Sequence, residues 1–221
     1  MATIDFSTLT PAERYKLMVA SIVPRPVALV TTQGAEGCVN AAPFSFFNAL
    51  CNDPPCVALG INWDEDAREK DTSVNIRTSG QFVVNLVDEA LAPLMNLCEL
   101  DLPAGESETA LAGLDTSPSV QVAPPRITAA PFALECVLVQ TVSLGPGRMI
   151  HIGRVVQMHL RDELFDAGRL RIHSERAGLI ARMHGGGTYA RTTDLFEMPR
   201  LSGEARRAAL AGHPPAKAAG A

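Results

Sequence analysis

The chain has 221 residues, 47% hydrophobic and 19% charged, with a formal net charge of −5. That is enough apolar material for one large core with appendages rather than two independent units. The acidic balance, with no run of Lys and Arg among aromatics, argues against nucleic acid as a partner. No window of about 18 apolar residues and no basic segment leading into an apolar run occurs, so neither a membrane span nor a secretory signal is expected and the protein reads as cytoplasmic. Five cysteines (38, 51, 56, 98 and 136) form no C-x-x-C pair and show no zinc spacing; they read as reduced, mostly buried thiols, with no metal site.

Thr10-Pro11-Ala12-Glu13 combines an N-cap residue, proline at the first helical position and glutamate three residues after the cap. It predicts a helix to about residue 20, with Tyr15, Leu17, Met18 and Ile22 on its inner face. Pro24 and Pro26 stop it. Residues 27–32 (VALVTT) are an apolar, β-branched strand, residues 33–37 (QGAEG) a turn, and residues 38–47 the return strand, with Arg25 at the mouth of the hairpin. The stretch 39–50 (VNAAPFSFFNAL) neither alternates nor stays apolar: Asn40, Pro43, Ser45 and Asn48 deny it regular backbone pairing. Pro43 has no N–H, and Ala41 and Ala42 have almost no side chain. A flat ligand can approach such a main chain closely, although a bulged strand with an ordinary turn accounts for the same residues.

Asp53-Pro54-Pro55 breaks the chain before residues 56–62 (CVALGIN), a strand expected to be buried on both faces. Lys70, Asp71 and Thr72 then open a short helix ending at Gly80, with Asp71 or Thr72 as its cap. Unpaired N–H groups, the Lys70 ammonium and the Thr72 hydroxyl suit a phosphate; a plain N-cap beside a surface lysine is the other reading. Residues 81–87 are a strand, and residues 88–99 a helix capped by Asp88 and kinked or broken at Pro93. Residues 100–125 form a surface insertion with a helical turn near 109–114. Strands 132–144 and 149–160 meet at Gly145-Pro146-Gly147, and His151 and His159 share a face of the second without a third metal ligand. His184 opens a glycine-rich loop, HGGGTY, that either carries an imidazole and a phenol to a ligand or turns a corner. Residues 1–201 thus form one domain and residues 202–221 a flexible tail. About six strands against two or three helices, without strand–helix alternation, predict a mainly β antiparallel barrel with helical additions.

Together, PRPVALVTT, VNAAPFSFFNALCNDPP, KDTSVNI and GQFVVNLV, followed by FALECVLVQ and GGGTYARTTDLFEMPR, resemble the flavin reductase-like, FMN-binding split-barrel family over about residues 11–200. This family includes flavoredoxin-type proteins. The resemblance implies a six-stranded antiparallel Greek-key split barrel, assembled as a homodimer with FMN near the subunit interface. Asn40, Ala41, Ala42, Pro43, Phe44 and Ser45 would supply main-chain contacts to the isoalloxazine ring. Ser45, Lys70 and Thr72 would hold the phosphate, with Arg25 and Asp71 as neighbours. The implied activity is an oxidoreductase that passes hydride from NADH or NADPH to FMN, and electrons onward to free flavin or a partner such as a flavin-dependent monooxygenase. His184 is expected beside the nicotinamide. A flavoredoxin-like carrier without nicotinamide turnover is the alternative, since no G-x-G-x-x-G fingerprint is present. Cys51 and Asn52 depart from the family pattern, in which small hydroxyl residues usually precede Asp-Pro-Pro.

Overall fold

The computed structural model describes all residues except 64–66, 101, 103–105, 199–201 and 213–221. Thr10 opens helix α1 (Pro11–Ser21) with a capping box, its hydroxyl accepting from Glu13 N while the Glu13 carboxylate accepts the Thr10 N–H at 2.8 Å. Of this helix only Val19 is buried; Tyr15, Met18 and Ile22, expected on an inner face, are exposed. The reason is its anchorage. Arg25 Nη1 donates to the carbonyls of Val19 (2.7 Å) and Ile22 (2.9 Å), so the helix is held by its C-terminal end rather than laid across the core.

The chain then forms β1 (Arg25–Pro26), β2 (Ala28–Gln33), β3 (Val39–Phe44), β4 (Phe47–Asn52) and β5 (Pro55–Asn62). β2 and β3 pair regularly from Ala28 opposite Phe44 to Gln33 opposite Val39. The polar residues and Pro43 therefore do not disrupt pairing as expected; β3 is an edge strand and the missing N–H falls on its open side. The stretch bends at Ser45 and Phe46 and yields a second strand, β4, which brings the main sheet to seven. Helix α2 (Asp71–Ser79) and strand β6 (Gln81–Leu86) follow, then α3 (Ala92–Leu97) and α4 (Glu108–Ala112). A small ribbon of β7 (Thr116–Ser117) and β8 (Arg126–Ile127) precedes the long hairpin of β9 (Phe132–Ser143) and β10 (Arg148–Leu160).

The main sheet has the order β3-β2-β6-β9-β10-β5-β4, antiparallel throughout. Its two edge strands are consecutive in the chain and separated by two residues, so the sheet curls until its edges meet. Gly60 N donates to Phe46 O at 2.7 Å beside that junction, yet among the described residues no ladder joins β3 to β4. This is a barrel split along one seam. Ala28, Val30, Leu59, Ile61, Phe82 and Cys136 pack its interior with Ile76 of α2. Val27, Leu29 and Ala41 point the other way, onto Leu91 and Met95 at α3 and Ala112 and Leu114 at α4, as the two-residue period of strands requires. In β5, Cys56, Val57, Leu59 and Ile61 are buried while Ala58, Gly60 and Asn62 are half-buried, so burial is one-sided rather than complete.

The segment after residue 105 does more than cover the surface, since Ala112 and Leu114 belong to the second core. The buried Glu135 carboxylate secures it further, accepting from Val120 N (2.7 Å), Gln121 N (2.6 Å) and His159 Nε2 (2.6 Å). Asp88 Oδ1 accepts from Leu91 N, and α3 starts at Ala92 with Pro93 in its first turn, where no kink is needed. Lys70, not Asp71 or Thr72, is the N-cap of α2, without a side-chain cap bond; Gly80 ends the helix at φ 72°. A bulge between Val155 and Gln157 inverts the alternation along β10, so His151 and His159 do not share a face: His151 meets Ser73 and Thr141, His159 meets Glu135.

Beyond the barrel, β11 (Phe165–Asp166) pairs with β12 (Arg171–Ile172), and β13 (Ile180–Arg182) bridges β1 and β14 (Tyr189–Arg191). Within the tail, α5 (Gly203–Leu210) is helical. No helix of the described residues is long and apolar enough to cross a membrane.

Gly153 fixes the tightest point of the barrel wall. A Cβ there would overlap the Phe82 ring, within 2.7 Å of Cε1, and lie 3.2 Å from Cys136 Cβ, both on fully buried side chains. Gly153→Ala should therefore cost about 1–3 kcal/mol; an unchanged urea midpoint would show that the wall yields there.

Candidate functional site

A cleft of about 740 Å³ opens where the free edge of β3 faces the start of α2 and the residues around α4. Seven of the residues singled out from sequence line it: Asn40, Ala42, Pro43, Phe44, Lys70, Asp71 and Thr72. They come from two segments thirty residues apart because α2 packs on β2 and β3 and presents its N-terminus at the seam.

On β3 the backbone groups of residues 39, 41 and 43 turn away from β2 by strand alternation. Two of these positions are already engaged. Ser107 Oγ donates to Val39 O at 2.6 Å, and Ala41 N donates to Glu108 Oε2 at 3.1 Å. Ala41 thus does not offer its N–H to a ligand, and its side chain is buried in the second core. The carbonyls of Ala41 and Pro43 remain directed to the open edge. The Asn40 amide lies 2.9 Å from Thr72 Oγ1; with its oxygen toward Thr72 it accepts from that hydroxyl and donates to Glu108 Oε1 at 3.3 Å.

At α2 the N–H groups of Asp71 and Thr72 precede the first intrahelical bonds, which Ser73 N and Val74 N make to Lys70 O. The Thr72 hydroxyl is buried against Asn40. Glu69, also in the wall, is tied back by Arg77 Nε (3.0 Å) and Nη2 (2.6 Å) and by Ser73 Oγ (2.6 Å), and the Arg77 bond holds its carboxyl below the usual range. Ser73 Oγ also lies 3.0 Å from His151 Nε2, whose Nδ1 is 2.9 Å from Thr141 Oγ1. Burial pushes His151 down to about 4, so a neutral imidazole braces the first turn of α2 against β10.

Ser45 and Arg25 do not line the cleft. Arg25 Nε reaches Ser45 Oγ at 3.4 Å while the rest of the guanidinium holds α1, so this pair fixes the seam beside the cleft. His184 lies outside the cleft as well, exposed on the β13–β14 loop, where Gly185 approaches Val19 of α1. Tyr189, the first residue of β14, is half-buried and bonded to Arg182, whose guanidinium carbon also sits 4.6 Å from the centre of its ring; Arg182 in turn faces Glu99 in the cleft wall at 3.8 Å. Sequence reading missed Tyr15, Glu99 and Glu108 as wall residues. No local pattern marks them, because each arrives from a distant element. Glu108 is the most consequential: burial pushes its carboxyl up, Asp71 adds to this, and the hydrogen bond from Ala41 and the nearby Lys70 oppose it.

A curled antiparallel sheet, split along one seam beside a cleft with a helix start in its wall, defines a split-barrel protein. Residues 19–178 match the family model described as flavin reductase like domain, and the chain belongs to that family. An uncharacterized protein of Deinococcus radiodurans is 41% identical over 203 residues, covering 90% of this chain and 89% of that protein. Among solved structures, 2-nitrobenzoate 2-nitroreductase NbaA of Pseudomonas fluorescens is similar with TM-score 0.83 and 39% identity, covering 90% of this chain and 96% of that one. Nitrilotriacetate monooxygenase component B of Bacillus cereus is similar with TM-score 0.85 and 36% identity, covering 90% and 98%.

A carboxyl whose folded pKa is raised favours folding below its unfolded value and loses that contribution as pH rises through the folded one. Wild-type stability relative to Glu108→Gln should therefore be greater at pH 4.5 than at pH 7.5. Urea midpoints of both proteins at the two pH values check this; a difference independent of pH would mean that Glu108 ionises as freely as in the unfolded chain.

Proposed function

We propose that the protein is an FMN-dependent flavin reductase that takes hydride from NADH or NADPH and passes electrons to free flavin or to a partner protein. The observation that carries the reading is the meeting of the open β3 edge with the α2 start in one cleft. The residues present fit FMN. The volume is that of a cofactor site, Ala42, Pro43 and Phe44 offer a flat, largely apolar wall, and the carbonyls of Ala41 and Pro43 provide acceptors for a ring edge. The N–H groups of Asp71 and Thr72, with Lys70 beside them, suit the phosphate. When bound, FMN supplies the electron-accepting and electron-donating chemistry. The chain positions it: Pro43 removes a competing donor from the edge, Arg77 draws the Glu69 charge away from the phosphate end, and Arg25 with Ser45 holds the seam.

Tyr15, Met18, Ile22 and Phe46 are exposed near this cleft, with the Tyr15 and Phe46 rings 6.4 Å apart. A second copy of the chain covers them in the proposed homodimer, which light scattering should report at about twice the 23.5 kDa chain mass; a monomer that retains flavin would overturn it. Similarity to a monooxygenase component supports a flavin-dependent monooxygenase as recipient of the electrons, in a soluble, cytoplasmic setting.

Anaerobic addition of NADH or NADPH to the yellow purified protein tests the reaction. Bleaching near 450 nm is expected; a flavin that stays oxidised with both donors returns the chain to the flavoredoxin-like carrier reading.

Lys70→Ala should weaken FMN binding by about 1.5–3 kcal/mol, the range for a hydrogen bond to a charged group, while riboflavin binding stays unchanged. Equal losses for both flavins would remove Lys70 from the phosphate. His184→Ala is the companion variant: FMN affinity should stay within about 0.5 kcal/mol of wild type, and a raised KM for the nicotinamide would assign the imidazole to the donor.

A further inference from the structure

Cys51 and Cys56 stand directly opposite one another across the β4–β5 hairpin. The connecting turn is Asp53-Pro54, closed by Asn52 opposite Pro55. Gly60 N donates to Phe46 O, so the even-numbered residues of β5 turn their backbone groups to β4, and Cys56 occupies a hydrogen-bonded position opposite Cys51, just past the register shift between Ala49 and Cys51. Hydrogen-bonded pairs have Cα atoms about 5.5 Å apart, inside the span of roughly 4.4–6.8 Å that a disulfide bridges. Cys51 Sγ donates to Pro54 O at 3.1 Å, which holds this thiol at the turn beside Cys56. Both cysteines are free, Cys51 exposed and Cys56 buried. Arg154 is paired opposite Cys56 on its other side and favours its thiolate, while burial and Cys51 push the thiol up.

We propose that Cys51 and Cys56 are a redox site that closes to a disulfide under oxidants such as hydrogen peroxide and reopens with dithiols. The exposed Cys51 sulfur attacks a peroxide oxygen and becomes a sulfenic acid, releasing one water. Cys56 sulfur then attacks Cys51 sulfur, the S–O bond breaks and a second water leaves. Two thiols lose two electrons and two protons, and one peroxide is reduced to two waters. Disulfides that are exposed or strained are the readily reduced kind, which makes the bond reversible. The site is independent of the flavin reading, and it gives a role to Cys51, the residue that departs from the family pattern before Asp-Pro-Pro.

The test uses the full-length protein as purified, treated with a small excess of hydrogen peroxide and then denatured. The thiol count should fall by two from the five in the chain. Mild acid cuts the labile Asp53–Pro54 bond between the two cysteines, and the resulting fragments should stay joined until dithiothreitol is added. Cys51→Ser should keep its four remaining thiols under the same treatment, whereas Cys56→Ser should lose the Cys51 thiol alone, as a sulfenic acid that forms no disulfide. The proposal is overturned if the wild-type count does not fall, if the acid fragments separate without reductant, or if thiols are lost equally in both variants. The wild-type result decides even if a variant fails to fold.

Discussion

The whole molecule depends on one constraint: the two outermost strands of a seven-stranded sheet are neighbours in the chain. A link of two residues, Ser45 and Phe46, cannot span an open sheet, so the sheet has to curl. Because β3 does not pair with β4, the curl leaves a seam, and the backbone groups along it are available to something other than a strand. Other parts of the fold serve this seam. Arg25 ties Ser45 to the end of α1, Gly60 N donates to Phe46 O at the turn, and α2 fills the barrel end with Ile76 while placing its first residues at the gap.

Electrostatics at the cleft follow from how its acids are managed rather than from an excess of positive charge. The chain is acidic overall, and Glu69, Asp71, Glu99 and Glu108 all stand in the wall. Glu69 is matched by Arg77, Glu99 faces Arg182, and Glu108 accepts from Ala41 while burial favours its neutral form. The α2 start and Lys70 stand among these acids in the same wall. His151 supports that turn as a neutral group, adding rigidity without a charge of its own.

Most of the barrel was legible in the sequence because its signals are local. The Thr10–Glu13 box, the Gly80 stop and the Gly145-Pro146-Gly147 turn each appear where the residues place them. Lys70 to Thr72 and Asn40 to Ser45 were read as two candidate sites, and packing brings Asn40, Ala42, Pro43 and Phe44 into one cleft with Lys70, Asp71 and Thr72. What was not legible depends on long-range geometry. Pro43 looked like a break because sequence does not show which strand lies at an edge. The His151 and His159 pair was separated by a bulge with no residue signature. Tyr15, Met18 and Ile22 have helical apolar spacing, but whether such a stripe meets its own core is a tertiary fact.

Glu108 reaches Ala41 from 67 residues downstream, on a segment that the barrel ladder does not need. One wall of the cleft is thereby delegated to a module whose length and composition can change while the sheet keeps its register. Within a single architecture, the choice of what fits above the open edge then belongs to the insertion, and the strands keep only the task of presenting that edge.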